Sequence, residues 1–291
     1  MKVLLCGATG FIGQHIEAAL KHAGHEVIAT SSRASPQSVQ VDFTRDTDPS
    51  TWVERLKGVD AVVNAVGVLR DTRLRPMAAV HADTPCALFD ACAQIGVRRV
   101  VQISALGLNG NPTLYAKTKL TAEQHLLHLT QAGQLDGTVL QPSIVFGQGG
   151  ASTELFKGLA KLPFWLLPSP VIKAQIQPIA VDDLATLIVR LLASKHSDRY
   201  QVIPCVGSTS ITLVDFLQTL REKMGHRPAS FITLPNLITR WSARLGDFVP
   251  VSPWCTETLT LLRQDNIAPS EVTSQLLGRQ PLGPAEFSLD R

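Results

Sequence analysis

The 291-residue chain lacks the cysteine pattern of a stapled or metal-bound fold. Its five cysteines, Cys6, Cys86, Cys92, Cys205 and Cys255, are odd in number and contain no Cys-x-x-Cys. A disulfide framework and a structural zinc site are excluded, and a reducing compartment is implied. No apolar run approaches the roughly 18 residues that span a bilayer. Met1-Lys2 leads straight into Val3-Leu4-Leu5-Cys6 and then glycine, too short an apolar stretch for a signal-peptide core. The expectation is a soluble, cytoplasmic protein. A dominant charge is lacking too: 27 Lys+Arg against 24 Asp+Glu leave a scattered net +3. No basic stripe follows a nucleic-acid backbone or an anionic membrane. A small-molecule substrate or a protein partner is expected instead. Repeats and low-complexity tracts are absent, which removes solenoids and propellers.

What is present is an ordinary packed composition, 45% hydrophobic and 18% charged, long enough for one large α/β unit or a nucleotide domain with a smaller companion. Short apolar runs at Val3–Cys6, Glu26–Thr30, Val39–Val41, Val59–Ala65, Arg98–Ser104 and Thr138–Leu140 alternate with amphipathic stretches. Runs apolar on both faces are what a parallel sheet covered by helices requires, so the fold class is a doubly wound α/β sheet. The pattern changes after Gly147. Prolines in Leu162–Pro170 predict a loop or lid, and its apolar run Phe164–Leu167 reads as a lid, a partner contact or a membrane-grazing patch. A strand at Gln175–Ile179, a helix from Val181, a strand at Tyr200–Ile203 and helices at Leu213–Met224 and Pro235–Leu245 follow. Residues 1–147, with 175–194 returning, form the expected nucleotide domain. Residues 148–174 and 195–291 form a smaller, mostly helical subdomain facing substrate or partner.

The first strand runs directly into Gly7-Ala8-Thr9-Gly10-Phe11-Ile12-Gly13, which opens a helix. Glycine here allows the turn, the approach of a pyrophosphate and close helix–strand packing, while the helix N-terminus offers free N–H groups to the anion. Two residues separate the first and second glycines. In that spacing the chain resembles the extended and atypical branches of the short-chain dehydrogenase/reductase superfamily, which include NAD-dependent epimerases and dehydratases. Further segments resemble it in order: Val41-Asp42-Phe43, Val62-Val63-Asn64-Ala65-Val66-Gly67, Val101 to Gly107 with Ser104, Tyr115-Ala116-Lys117-Thr118-Lys119, Gln141-Pro142 to Gly147, and Pro178 to Ala185. Val66–Leu69, Ile103–Gly107 and Leu261–Ile267 are most similar to the group around the dinucleotide-binding accessory subunit of respiratory complex I, and less to NmrA-like regulators.

The resemblance implies a nicotinamide cofactor held by Gly7, Thr9, Gly10, Phe11, Ile12, Gly13, Asp42, Phe43, Asn64, Ala65, Val66, Gly67, Lys119 and Pro142. It also implies hydride transfer at a carbonyl or alcohol. Tyr115 would be the acid/base, Lys119 the cation that lowers its pKa and holds the ribose, and Ser104 the orienting donor. Tyr115 and Lys119, four apart, share a helical face, and a phenol titrating near ~10 needs such a cation to serve as a base. The second strand ends in Ala29-Thr30-Ser31-Ser32-Arg33 without a carboxylate, and Ser32 with Arg33 favours NADP(H) over NAD(H). A non-catalytic nucleotide-binding module for assembly or redox sensing is the alternative. No metal is expected: the His22/His25 and His125/His128 pairs lack a third ligand. Asp182 and Asp183 are expected to cap a helix, and Arg70, Arg73 and Arg75 to lie on a solvated loop near the ligand mouth.

Overall fold

The computed structural model describes residues 1–194, 201–248 and 255–289. Six strands of the first half, β1 (Lys2–Cys6), β2 (Glu26–Ser31), β3 (Val39–Gln40), β4 (Ala61–Asn64), β5 (Arg99–Ile103) and β6 (Asp136–Pro142), join β11 (Val202–Cys205) in one sheet. Its order is β3-β2-β1-β4-β5-β6-β11, and every neighbouring pair is parallel. This is the doubly wound α/β class. The order reverses between β1 and β4, and ligands bind outside the carboxyl ends of the strands at such a reversal.

The alternation along each strand explains the layers. Val3, Leu5, Val63, Val101 and Leu140 face one core, with Ile16 and Leu20 of α1 (Phe11–His22) and Leu184 and Ile188 of α7 (Val181–Ala193). Leu4, Cys6, Val62, Val100 and Val139 face the other. That second core is closed by Trp52 of the short α2 (Ser50–Val53), by Leu88 and Cys92 of α3 (Thr84–Ile95), and by Ala122 and Leu126 of α4 (Leu114–Gln131). Both faces are dry, as a parallel sheet demands.

A third core gathers α5 (Ala151–Lys161), β7 (Val145–Phe146), β8 (Phe164–Pro168), α8 (Leu213–Lys223) and Phe287. Here three expectations are corrected. The segment expected to be an irregular loop contains β8, paired in parallel with β13 (Ser230–Leu234), and a short helix, α6 (Ser169–Lys173). Pro163 and Pro168 sit just before and at the end of that strand, where a missing N–H costs little. The strand expected over Gln175–Ile179 splits into β9 (Gln175–Ile176), paired with β12 (Ile211–Thr212), and β10 (Ile179–Ala180), paired with β7. Between them Gly207 packs against the Pro178 carbonyl so closely that a Cβ would lie 2.1 Å from its oxygen. Finally, β11 and α11 (Glu271–Leu277), within the stretch assigned to the second subdomain, belong to the first: Thr273 bonds β11, and Leu277 enters the α1–α7 core. The strand expected to begin at Tyr200 starts at Val202, Tyr200 itself lying outside the described residues. Among the described residues the remaining α-helices are α9 (Asn236–Asp247) and α10 (Thr256–Leu261).

Candidate functional site

The cradle is built by contacts that only glycine permits. Gly7 has φ +83°, and a Cβ there would press on the Ala65–Val66 backbone at 3.0 to 3.1 Å. A Cβ at Gly13 would fall 2.0 Å from the Gly7 carbonyl oxygen, so α1 docks on β1 without a side chain between them. Gly10 precedes α1 without any side-chain cap, and no acid lies in the first turn. Unshielded N–H groups at a helix N-terminus favour an anion. Thr9 and Gly10 are exposed. Phe11 bends instead over Gly149 and Gly150 and stacks edge-on with His15. Residues and geometry fit a dinucleotide pyrophosphate.

The other cofactor-side residues divide. Ser32 and Arg33 are exposed after β2, with the Arg33 N–H on Ser31 Oγ at 3.1 Å. Asp42 Oδ1 accepts from the Thr44 N–H and hydroxyl at 2.9 and 2.6 Å. Its carboxyl pKa is lowered by those bonds. Phe43 is buried edge-on against Trp52, and Pro142 is buried as well. The Asn64 side chain, expected at the cofactor rim, is instead fully buried. It donates to Gln102 at 2.8 Å and accepts from the Val66 N–H at 3.1 Å, so it shapes the Ala65–Gly67 turn from below.

Asn111 and Thr113 start α4: Thr113 Oγ1 accepts from the Ala116 N–H. Tyr115, Lys119 and Glu123 then follow at four-residue steps along one face. Lys119 is buried, and its Nζ donates to the Ile103 carbonyl at the end of β5 at 3.1 Å. A Cβ on Gly67 would lie 3.2 Å from that Nζ and 3.7 Å from His81 Nε2. The carboxyl ends of β4 and β5 therefore meet α4 at one point. Burial lowers the Lys119 pKa to about 8, an effect opposed by Glu123.

Three polar groups in this place were not foreseen. His81 lies in a π-helical turn, Ala79–Asp83, that leads into α3. Such turns recur at functional sites. Its Nε2 accepts from the Val68 N–H at 2.9 Å, its Nδ1 lies 3.1 Å from Thr118 Oγ1, and its ring stands edge-on to Tyr115 at 5.4 Å. Burial, reinforced by the Lys119 charge, lowers its pKa to about 3, so the ring is neutral. Glu123 is buried. It accepts from Ser104 Oγ and from Gln141 Nε2, the latter at 2.9 Å, and burial raises its pKa. Glu257 of α10 accepts the Tyr115 N–H at 2.9 Å. The spacing of Glu123 from Lys119 was a usable signal, but nothing in the local sequence marked His81 or Glu257.

Two expectations change here. The Ser104 hydroxyl, expected to orient a substrate oxygen, is committed to Glu123. The Tyr115 phenol is not acidified: burial, then Glu123 and Glu257, raise its pKa to about 12. The resting site therefore holds a proton on Tyr115. Asp182 and Asp183 also differ from expectation. Asp182 meets His15 at 2.9 Å, and Asp183 is buried against Arg279 and the Leu282 N–H, so neither caps its own helix. His125 pairs with Asp90 at 2.7 Å, and Arg70 donates to the Gly246 and Asp247 carbonyls.

The sheet order defines a doubly wound α/β protein, and the glycine cradle and Lys119 have the form that a dinucleotide fits. The NAD dependent epimerase/dehydratase family profile matches residues 3–203, and the chain belongs to that family. It is 22% identical over 267 residues to NADH dehydrogenase [ubiquinone] 1 alpha subcomplex subunit 9 of Rattus norvegicus, covering 86% of this chain and 68% of that protein. It is 25% identical to ceramide reductase of Caulobacter vibrioides, over 83% of this chain and 78% of the relative. Among solved structures, UDP-glucuronic acid 4-epimerase from Bacillus cereus, in complex with UDP-glucuronic acid and NAD, superposes with a TM-score of 0.65 at 18% identity, covering 96% of this chain and 98% of that one. UDP-N-acetylglucosamine 4-epimerase from the same species gives 0.71 at 16% identity, covering 98% and 97%.

Proposed function

We propose that the protein is an NAD(P)-dependent oxidoreductase of the extended short-chain type that works at a carbonyl or alcohol carbon. The observation that carries this reading is Lys119, whose buried ammonium is held at the carboxyl ends of β4 and β5 one helical turn from Tyr115. A bound nicotinamide supplies or accepts the hydride. The chain's part is then to hold the ribose hydroxyls with Lys119 and to move one proton at Tyr115 Oη. A phenol with pKa about 12 is protonated at neutral pH, so in the reductive half of the reaction Tyr115 would be the donor of the proton to the carbonyl oxygen. Lys119, cationic at neutral pH, stabilises the phenolate left behind. Ser32 and Arg33, exposed beside β2, support NADP(H) over NAD(H), because a guanidinium pairs with a 2′-phosphate.

A second reading, a nucleotide-binding module without turnover, is supported by one observation: the hydroxyl expected to orient the substrate is engaged by Glu123, and Ala105 follows it. The relative named as a subunit of NADH dehydrogenase [ubiquinone] is in keeping with it.

One experiment separates the two. A panel of carbonyl compounds and nucleotide sugars is followed by reduced-nicotinamide absorbance after both nucleotides have been titrated. Turnover that falls roughly 100-fold or more in Tyr115→Phe, with nucleotide affinity kept, supports the enzyme. Binding without turnover across the panel supports the module. Equal or tighter NADH binding overturns the cofactor preference.

A further inference from the structure

Helix α9 turns an apolar face outward. Thr239 and Ala243 are fully buried on one side, while Leu237, Ile238, Trp241, Leu245 and the following Phe248 line the opposite side, each 52 to 84% exposed. At 100° per residue these five fall within one stripe. Arg240 and Arg244 stand along its edge, Arg244 lying over the Trp241 ring at 5.7 Å. With Arg263, Thr256 and Thr260 of the neighbouring segment they line a cleft of about 140 Å³. The β8–β13 pair carries further exposed apolar side chains: Leu166 stands opposite Ile232 in the register, and both are exposed, as is Phe164 two residues away. Helix α6 touches β8, β13 and α9 and links them.

Charge decides what such a face meets. Arg240, Arg244 and Arg263 stand together beside the stripe, and the one acid of α9, Asp247, already accepts from Thr256. The scattered total, from which no anionic-membrane stripe was expected, conceals a basic cluster beside these exposed apolar side chains. A second copy is a poor occupant, because a two-fold contact would set this same-sign cluster against itself.

We propose that this face docks on the surface of an anionic phospholipid bilayer. Helix α9 lies in the interface, its stripe at the boundary of headgroups and acyl chains, while Arg240, Arg244 and Arg263 meet lipid phosphates. Twelve residues lie on a membrane and do not cross it. The carboxyl end of α9 is held by Arg70, two residues beyond the Val68 whose N–H meets His81, so the docking helix is tied to the loop that follows β4. The inference does not depend on the reaction proposed above.

The test is flotation of the full chain with phosphatidylcholine vesicles and with mixed phosphatidylcholine–phosphatidylglycerol vesicles. The protein is expected on the mixed vesicles, released by raised salt, with a blue shift in emission that is lost in Trp241→Phe. Arg240→Glu/Arg244→Glu and, separately, Leu237→Ser/Leu245→Ser are expected to weaken partitioning at least roughly tenfold. These side chains are exposed, and an unchanged thermal transition shows that the fold is kept. Three results overturn the proposal: no partitioning of the wild type, partitioning that both variants retain, or a solution dimer that Leu237→Ser/Leu245→Ser dissociates.

Discussion

At the residue scale, two positions show how little space separates tolerance from failure. Gly10 and Gly13 belong to the same short motif, yet a Cβ at Gly10 would meet only the Gly7 oxygen at 3.3 Å, whereas at Gly13 it would overlap that oxygen at 2.0 Å. Gly13→Ala must push α1 off β1. A drop of about 2 kcal/mol in unfolding free energy and at least tenfold weaker dinucleotide binding are expected from urea titration and nucleotide fluorescence, with Gly10→Ala much milder in stability. His81 gives a pH signature. Its folded pKa, about 3, lies below the ordinary 6.5, so between these values the unfolded chain binds the extra proton and the folded chain does not. Stability contributed by neutral His81 is complete above pH 6.5 and falls as the pH drops toward 3, with a slope of up to about 1.4 kcal/mol per pH unit. The difference in urea midpoint between wild type and His81→Gln, followed from neutral to acid pH, should shrink accordingly. A difference that stays constant would deny His81 this role.

At the element scale, α4 brings Tyr115, Lys119 and Glu123 onto one face and points them at the end of β5. The four-residue spacing of Tyr115 and Lys119 was legible because helical periodicity is local. Ser104 was misread because its hydroxyl partner, Glu123, comes from a different element. The helix also sets a measurable quantity. The chain has two tyrosines, so Tyr200→Phe leaves the Tyr115 phenolate as the tyrosinate absorbance that appears near pH 12. Glu123→Gln in that background removes a negative charge from beside the phenol and should shift the transition to lower pH. An unmoved or raised transition would show that Glu123 does not act on Tyr115. The prolines around β8 illustrate the opposite difficulty: a strand flanked by Pro163 and Pro168 reads as a loop until a partner strand, some 65 residues later, supplies the other half of the ladder.

At the scale of the whole molecule, the C-terminal arm fastens the second subdomain to the first. Buried Asp183 of α7 pairs with Arg279 and accepts the Leu282 N–H at 2.8 Å. Phe287 stacks on Phe146 at 5.1 Å and stands edge-on to Phe216 of α8. Phe287→Ala, which opens that buried cluster, is expected to cost about 3 to 4 kcal/mol in urea unfolding. Phe248→Ala, 84% exposed, should cost less than about 0.5 kcal/mol. Equal losses at the two positions would contradict this account of the arm.

The doubly wound sheet, the glycine cradle and the Tyr115–Lys119 face were determined by the sequence itself, because each rests on a short-range regularity: apolar runs, glycine where a Cβ cannot fit, a helical step of four. Only the tertiary structure decided what depends on groups far apart in the chain. It gave the Ser104 hydroxyl to Glu123, set His81 against Tyr115, returned β11 to the first sheet, and left the apolar side of α9 facing outward among basic residues. Burial and pairing are properties of the assembled chain, and they settle which side chains are free to act.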